Sequence, residues 1–408
     1  MSTYPRIAIS NAHPEDPRIW TPVFAMVFAA AFLNEIAFSF MINLPGYFSD
    51  LGASEGQIGL VFALAGVASL LSRPMIGRWL DLLGRKPILV VGAAANAVSL
   101  LLFITVSAFG PWMFVARAIF VVSEISLFTA FLTYAADSLP EARRTQGLAL
   151  YGLSGLVPIG LGSLLAEAIL AAWGFTGLFM IGAACVTASL SILVRLPRRP
   201  REELGTLPRR SVWAVVTQRS LVPMWLVTFL LSIEINVLFT YTRTFVDETG
   251  IGSVGLFFGT YSASAVGLRL VVSVLPQRKG YGRVVVPMFF VIALTLFLLS
   301  ITESNVLFVT AAVLGGGAHG VVFPVISSEV VRRARVKERG SAIAIFTSLF
   351  DIALIGAIPI IGRVIDTSGY PAAFEGSAAL VAVGTVVYWV LDRRNTSATE
   401  ALSGADAG

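Results

Sequence analysis

The sequence has few of the residues on which metal sites, disulfides and many enzyme centres depend. It contains one cysteine and two histidines among 408 residues. A single Cys185 excludes an intrachain disulfide and a cysteine metal cluster, and His13 and His319 are too few for a histidine metal site. The chain also lacks a Walker-type phosphate loop and a nucleophile elbow. We therefore expect no enzymatic activity, no bound metal and no cofactor.

Charge is also scarce. Charged residues make up 13% and hydrophobic residues 56% of the chain, whereas soluble domains carry about 25% charged residues. This composition excludes a large soluble domain. The net charge of +5 does not indicate nucleic-acid binding, because the basic residues lie between apolar stretches, where membrane topology explains them.

Long apolar stretches follow one another from Pro22 to Leu391. Each has roughly the 20 residues that cross a bilayer core as a helix. They lack the alternation of barrel strands, and apart from closed barrels only helices satisfy their backbone in lipid. The sequence predicts an all-α polytopic membrane protein with 12 transmembrane helices. The predicted spans, numbered 1 to 12, are residues 22–43, 57–76, 87–107, 112–134, 147–170, 176–194, 222–242, 254–275, 284–301, 306–328, 342–362 and 372–391.

The distribution of basic residues predicts the orientation. With both termini inside, the Lys and Arg residues lie on the inner side, except Arg117, Arg243 and Arg363. The N-terminus has no cleavable signal peptide, so span 1 is expected to act as an uncleaved insertion signal. We expect an integral protein of a bacterial inner membrane with cytoplasmic termini.

The longest polar interruption divides the spans into six and six. The predicted parts are an N-terminal arm (1–20), a first six-helix bundle (21–195), a cytoplasmic central loop (196–219), a second bundle (220–391) and a disordered cytoplasmic tail (392–408). The halves resemble each other. Gly59-Leu-Val-Phe opens span 2, Gly255-Leu-Phe-Phe opens span 8, and an arginine follows each glycine fourteen residues later, as Arg73 and Arg269. A parallel repeat of six spans is the build of one transporter class.

The loop between spans 2 and 3 carries a recognisable motif. It places Gly77, Asp81, Gly84, Arg85 and Lys86 in the pattern G-x-x-x-D-x-x-G-R-K. This resembles the signature loop of the major facilitator superfamily, although Leu82 occupies a position that is usually basic. The resemblance implies two pseudo-symmetric six-helix bundles that move against each other. It also implies that this loop latches the halves at the cytoplasmic side, with Asp81 near the start of span 11. The alternative is that the glycines only shape a tight turn and the cations only fix topology.

Span 5 contains a glycine- and proline-rich stretch. Pro158 and Gly162 match the helix 5 motif of antiporters, and the chain as a whole resembles the 12-helix drug:proton antiporter branch. Leu161 and Val157 replace glycines of that motif. Helix packing alone is the other explanation, because glycine and proline are frequent in transmembrane helices.

Ionisable residues at membrane depth are expensive, so they are candidates for function. A buried carboxyl group can take up and release a proton near neutral pH, because low dielectric disfavours its charged form. The same side chains could instead only hold helices together. Arg73 and Arg269 are expected to extend to the inner interface, and Glu167 and Glu303 to be solvated. The candidates for substrate and proton binding are Glu35, Arg117, Glu124, Glu234, His319 and Asp351.

Three functions remain open. The first is proton-coupled efflux of a small organic molecule, such as a drug or metabolite. The second is proton-coupled uptake of a small nutrient, and the third is a sensor or scaffold that transports nothing. The expected partners are a small-molecule substrate, protons and the lipid bilayer, without nucleic acid. We expect a monomer that uses a proton gradient as its energy source.

Overall fold

The computed structural model describes residues 18–198, 212–273, 282–335 and 338–405. Within these ranges the chain forms helices and no strand. Most of the predicted N-terminal arm, much of the central loop, and the end of the tail lie outside the described residues. All candidate site residues lie inside them.

The first half contains spans 1 to 6. Span 1 continues through a 3-10 turn, Met41–Asn43, into a short helix. Spans 5 and 6 lie in one helical segment. The helices of this half are Pro22–Phe40 and Leu44–Asp50 (span 1), Glu55–Leu83 (span 2), Arg85–Ile104 (span 3), Pro111–Ser138 (span 4), and Arg144–Tyr151 and Leu153–Leu193 (spans 5 and 6).

The second half repeats this order. A short helix, Val212–Val216, precedes span 7. The longest segment holds the end of span 11 and all of span 12. The helices are Val222–Thr249 (span 7), Val254–Ser273 (span 8), Gly282–Ser300 (span 9), Asn305–Arg333 (span 10), and Arg339–Gly356 and Ile358–Ala405 (spans 11 and 12).

Two glycines divide the longest helical segments. Nine described segments are long and apolar enough to cross a membrane, and Val284–Ser300 is a shorter apolar helix. Two of the nine, Gln146–Leu193 and Arg339–Arg393, have 48 and 55 residues, which is far more than one crossing needs. Their backbones leave helical geometry at Gly174 (φ 60°, ψ −164°) and Gly369 (φ 80°, ψ 171°). Dividing both there and adding the shorter helix gives a count that agrees with the twelve predicted spans.

Local sequence explains where the helices begin and end. Ser54 starts span 2 with a capping box, in which its side chain accepts from the backbone of Gln57 and the Gln57 side chain accepts from the backbone of Ser54. Gly84 ends the same helix at φ +82° and ψ 174°. This conformation is open to glycine and costly for other residues. The turn between spans 2 and 3 therefore depends on Gly84.

The two ends of the bundle differ in charge. We call the end that carries Arg85, Arg195, Arg333 and Arg393 the basic face, and the other end, with Glu55 and Asp366, the opposite face. At the basic face, Lys86 Nζ donates to the carbonyls of Val194 (2.8 Å) and Leu196 (2.6 Å), and Arg333 pairs with Asp392 (2.6 Å). These contacts tie together the helix ends within each half.

Two seams join the halves. One seam is formed by spans 2 and 11 and runs from Asp366 at the opposite face to Asp351, which binds Arg73. The other is formed by spans 5 and 8 and runs from Glu167 to Gly152. Small residues allow close approach along the second seam; a Cβ at Gly160 would lie 2.8 Å from that of Ser262. The halves are thus closed against each other at the opposite face.

The C-terminal helix extends further than predicted. A disordered tail was expected from residue 392, but the helix continues to Ala405. Asp392 accepts from Arg333 (2.6 Å) and from the Tyr388 hydroxyl (3.3 Å), and the Arg393 guanidinium lies 3.9 Å from the centre of the Trp389 ring. The Arg333 ion pair ties the first turn beyond span 12 to span 10, and the other two contacts lie within the helix itself.

Candidate functional site

A buried polar cluster connects spans 1, 3 and 4. Asn34 Nδ2 lies 3.4 and 3.3 Å from the two carboxylate oxygens of Glu124. Asn96 Nδ2 donates to Glu124 Oε1 and to Asn34 Oδ1. All three side chains are buried, with Glu124 8% exposed. The two amides supply donors to the carboxylate, which lowers the cost of burying it.

Glu35 differs from its neighbour. The adjacent Asn34 binds Glu124 instead, and no hydrogen bond to Glu35 occurs among the described residues. The side chain is partly exposed, and the Tyr151 hydroxyl of span 5 and Glu124 lie within its electrostatic range. Glu35 is therefore available to a proton or a ligand.

Arg117 forms no ion pair with Glu124 within 4.0 Å, although both lie on span 4. Its guanidinium carbon lies 4.2 Å from the centre of the Phe62 ring and 5.3 Å from that of Phe120. The residue is 7% exposed, and its Nε has no hydrogen-bond partner. Ring faces attract the cation, but its fork of donors stays unused.

A second cluster connects spans 7, 8 and 10. The Tyr261 hydroxyl forms a 2.5 Å hydrogen bond with His319 Nδ1. It also lies close to the Glu234 carboxyl, without the geometry of a hydrogen bond. Glu234 is 0% exposed, and neither of its carboxylate oxygens has a hydrogen-bond partner among the described residues. Nearby Asn236 donates to the carbonyls of Ser232 and Phe350 rather than to Glu234.

Asp351 pairs with an arginine from the other half. Arg73 Nε lies 2.6 Å from Asp351 Oδ2, and the same guanidinium donates to the Thr347 hydroxyl (3.1 Å) and carbonyl (3.3 Å). The expectation that Arg73 reaches the inner interface is wrong. The carboxylate and the two oxygens of Thr347 compensate the cation inside the protein.

The predicted latch loop binds its own half in this conformation. Arg85 Nε lies 3.1 Å from Asp137 Oδ2 on span 4, and Lys86 binds the end of span 6 as described above. Asp81 is exposed. A Cβ at Gly77 would meet no atom within 4 Å, so no neighbouring helix packs closely against this glycine in this conformation. Contact between Asp81 and span 11 remains a prediction for a conformation closed at the basic face.

The glycines of span 5 make close helix contacts. A Cβ at Gly162 would collide with Ser39 of span 1, and one at Gly160 with Ser262 of span 8. Pro158 is buried within the same helix. These contacts agree with the packing interpretation of the span 5 motif. The antiporter interpretation rests on Pro158 and Gly162 and stays a prediction.

Sequence reasoning missed several polar residues of these clusters. Asn96 and Tyr261 are neutral, so a search for charged groups in spans did not select them. Glu167 was expected to be solvated, but its Oε1 accepts from the backbone N–H of Gly255 at 2.7 Å. Glu329 at the basic face accepts from Arg332 and Arg333 of the same helix. Among the described residues, no three His, Cys, Asp or Glu side chains could hold a metal ion.

The candidate acids lie inside the bundle. Glu124, Glu234 and Asp351 are 8%, 0% and 8% exposed, and none lies on the outer perimeter. Spans 1, 4, 7 and 10 supply Glu35, Glu124, Glu234 and His319. Two polar clusters, one in each half, thus flank the region between the halves.

Comparison with known proteins agrees with this architecture. The MFS-type transporter YhhS of Shigella flexneri is 27% identical over 373 residues, with 86% of this chain and 87% of the relative covered. Its Escherichia coli K12 counterpart is 26% identical over the same length and coverage. Both relatives are named as uncharacterized transporters.

Solved structures share the fold. A mutant of the nucleoside transporter NupG has a TM-score of 0.77 at 16% identity, with 90% of this chain and 99% of that chain covered. The human organic anion transporter MFSD10 has a TM-score of 0.70 at 18% identity, with 90% and 100% covered. The family model of the Major Facilitator Superfamily matches residues 23–355 and 224–407. The chain is therefore a member of the Major Facilitator Superfamily, a family of secondary transporters.

Proposed function

We propose that this transporter moves a small organic molecule by alternating access and couples the movement to protons. The observation that carries the coupling is the Glu234 carboxyl, which is 0% exposed and whose two oxygens accept no hydrogen bond from the described residues. An ionised carboxylate in that position would lose its hydration with no hydrogen bond to replace it in this geometry. The neutral, protonated form is therefore favoured in this conformation.

Alternating access explains how the proton bound to Glu234 is released. The halves are joined along the two seams at the opposite face, and rocking of one half against the other opens that face in turn. Glu234 lies in a core helix of the second half, so such a movement changes its contact with water. A group that holds a proton in one state and loses it in the other shifts the populations of the two states with pH.

For the direction of transport we propose export. The support is the antiporter-like Pro158 and Gly162 in span 5. Import with a proton remains the second candidate, because the span 5 glycines pack closely against Ser39 and Ser262, which is sufficient reason for their presence.

The experiment starts with a resistance and accumulation screen in a transporter-deficient bacterial host, which identifies a transported compound. Export predicts that this compound enters inverted membrane vesicles whose interior is acidified. Import predicts entry into right-side-out vesicles together with protons. Absence of pH-driven movement of this compound in both orientations would exclude proton coupling, whereas a screen that finds no transported compound would favour the non-transporting sensor or scaffold.

The coupling residue is tested by Glu234→Gln, with Glu303→Gln as the matched control. Glu303 is exposed at the opposite face. We expect Glu234→Gln to abolish transport driven by the pH gradient while leaving membrane insertion intact, and Glu303→Gln to leave transport unchanged. Normal pH-driven transport by Glu234→Gln would remove this residue from the coupling mechanism.

A further inference from the structure

Arg73 and Arg269 occupy equivalent positions in the two halves. Each arginine lies fourteen residues after the glycine of the Gly-Leu-x-Phe sequence that occurs near the start of its helix in both halves. Each faces the other half across a seam, Arg73 toward span 11 and Arg269 toward span 5. The two arginines are thus related by the pseudo-symmetry of the halves, but they differ in the groups that compensate their charges.

The charge and the N–H donors of Arg73 have partners within the protein. Asp351 lies 2.6 Å from Arg73 Nε, and Thr347 accepts from both terminal nitrogens. Asp351 thus neutralises the Arg73 cation within the protein. Each of the three guanidinium nitrogens donates a hydrogen bond, so Arg73 needs no further anion.

The second arginine has no such partner. Arg269 forms no hydrogen bond and no ion pair with any described residue, although it is partly buried at the seam. Opposite its guanidinium lies Gly152, where a Cβ would be 3.3 Å from Nη2 and 3.4 Å from Nη1. Span 5 therefore presents bare backbone where span 11 presents a carboxylate.

Among the described residues, no carboxylate lies within 4.0 Å of the Arg269 guanidinium. His319 on span 10 is within electrostatic range of Arg269 and hydrogen-bonds Tyr261. Along span 5, a Cβ at Gly155 would meet no atom within 4 Å. The guanidinium therefore borders open space next to two glycines, with its planar set of N–H donors unused.

We propose that Arg269, facing Gly152, is the subsite for an oxyanion group of the transported molecule, either a carboxylate or a phosphoryl group. A guanidinium binds both groups through two parallel hydrogen bonds. A cation that is partly removed from water is more stable with a counter-charge than without one, so an anionic substrate group would complete this seam as Asp351 completes the other. The inference rests on the proposed transport function and defines its substrate class.

The test measures charge selectivity at a cysteine placed beside Arg269. In a Cys185→Ala background, Gly152→Cys is reacted with 2-sulfonatoethyl methanethiosulfonate, an anion, and with its trimethylammonioethyl analogue, a cation. The ratio of the two rates cancels changes in the reactivity of the thiol itself. We expect the anion-to-cation ratio to fall by about tenfold when Arg269→Gln is added, as for loss of one unit charge a few ångströms away in a partly hydrated site.

Thr347→Cys provides the matched control, because it lies beside the neutralised Arg73. Its rate ratio should change less than about twofold when Arg269→Gln is added, since Arg269 belongs to the other seam and the arginine beside this cysteine stays in place. Should Gly152→Cys fail to fold, Gly155→Cys replaces it, because that position has open space. A rate ratio at the span 5 cysteine that is insensitive to Arg269→Gln would overturn the proposal.

Competition then tests binding of the oxyanion. Sodium benzoate and phenyl phosphate should slow labelling of the span 5 cysteine, whereas benzamide, a neutral isostere of benzoate, should not, and Arg269→Gln should remove the protection. Equal protection by benzamide and benzoate, or none by either anion, contradicts an anion subsite. Labelling needs no transport, so this result stands apart from proton coupling. Conversely, pH-driven transport of a cation without anion protection would reject the subsite alone.

Discussion

Asp366 of the second half caps the helix that begins at Glu55 in the first half. Its carboxylate oxygens accept from the backbone N–H groups of Glu55 (2.9 Å) and Gly56 (3.0 Å), and from the Ser54 hydroxyl (2.9 Å). The first N–H groups of a helix have no partner within the helix and attract negative charge. The cap therefore joins the halves at the opposite face.

The other seam repeats this arrangement with the halves exchanged. Glu167 of the first half accepts from the backbone N–H of Gly255 at 2.7 Å, where the span 8 helix begins. In each half, a carboxylate thus caps the N-terminus of a helix that belongs to the other half. Opening of the opposite face requires that both caps break.

Removal of a cap should shift the protein toward a conformation open at the opposite face. Loss of a helix cap costs about 1 kcal/mol, so Asp366→Ala should raise the population of that conformation several-fold. Spin labels on Ser107→Cys and Glu303→Cys, in a Cys185→Ala background, report the separation of the halves by pulsed electron resonance. A population at longer distance is expected.

Glu375→Ala is the control for that measurement, because Glu375 is exposed on span 12. It should leave the distance distribution unchanged. Asp366→Asn, which keeps one carbonyl acceptor, should lie between the wild type and Asp366→Ala. An identical distribution in all four proteins would show that the cap does not hold the face closed.

The ion pair between Arg73 and Asp351 predicts an asymmetric response to mutation. Asp351→Asn leaves the Arg73 guanidinium without its counter-charge in a mostly buried position, which should destabilise the protein by ~2–4 kcal/mol. Replacement of both partners, as Arg73→Met with Asp351→Leu, should recover much of that loss. Thermal unfolding of the purified protein measures both effects.

Arg269→Met is the matched control for the pair, since this arginine has no ion-pair partner among the described residues. It should destabilise less than Arg73→Met, which strands a carboxylate. Equal losses from the two arginine variants would mean that the ion pair does not account for the stability at the first seam.

The sequence predicted the membrane architecture because each crossing depends on a local property, the length of an apolar run. The same approach placed one span on each side of Gly174 and of Gly369, where the backbone leaves helical geometry in the structure. Partners of buried charges depend on how distant spans pack. Asn34 could therefore be selected as a polar neighbour, but its binding to Glu124 rather than Glu35 could not be derived from spacing.

Arg73 illustrates a second limit of sequence reasoning. From the sequence, an arginine near the end of an apolar span could extend to the membrane surface as readily as it could form a buried ion pair. Asp351 lies 278 residues away in the sequence, so spacing alone does not identify it as the partner of Arg73. Glu167 was misjudged for the same reason. Its acceptor role depends on a backbone N–H of the other half, and a backbone group has no signature in sequence.

The unpartnered Glu234 carboxyl predicts a distinct chemical reactivity. Dicyclohexylcarbodiimide modifies protonated carboxyl groups in apolar surroundings, so Glu234 should be labelled in the folded protein because burial without a partner favours its neutral form. Glu329, which binds Arg332 at 2.6 Å and Arg333 at 2.6 Å, should stay unlabelled because its charged form is compensated. Peptide mass spectrometry distinguishes the two sites. Labelling of Glu329 with Glu234 unmodified would contradict this assignment of protonation.

Two glycines of the signature loop should respond differently to the same substitution. Gly84 has φ +82° and ψ 174°, a conformation that costs other residues about 1–3 kcal/mol, so Gly84→Ala should lower the unfolding temperature. Gly77 lies within a regular helix, and a Cβ there would meet no atom within 4 Å, so Gly77→Ala should leave the unfolding temperature unchanged or slightly raised. If Gly77→Ala nevertheless impairs transport in vesicles, the cause must lie in a conformation closed at the basic face, where the span 2 helix meets a neighbour. Normal transport by Gly77→Ala would instead leave Gly84 as the glycine on which the loop depends.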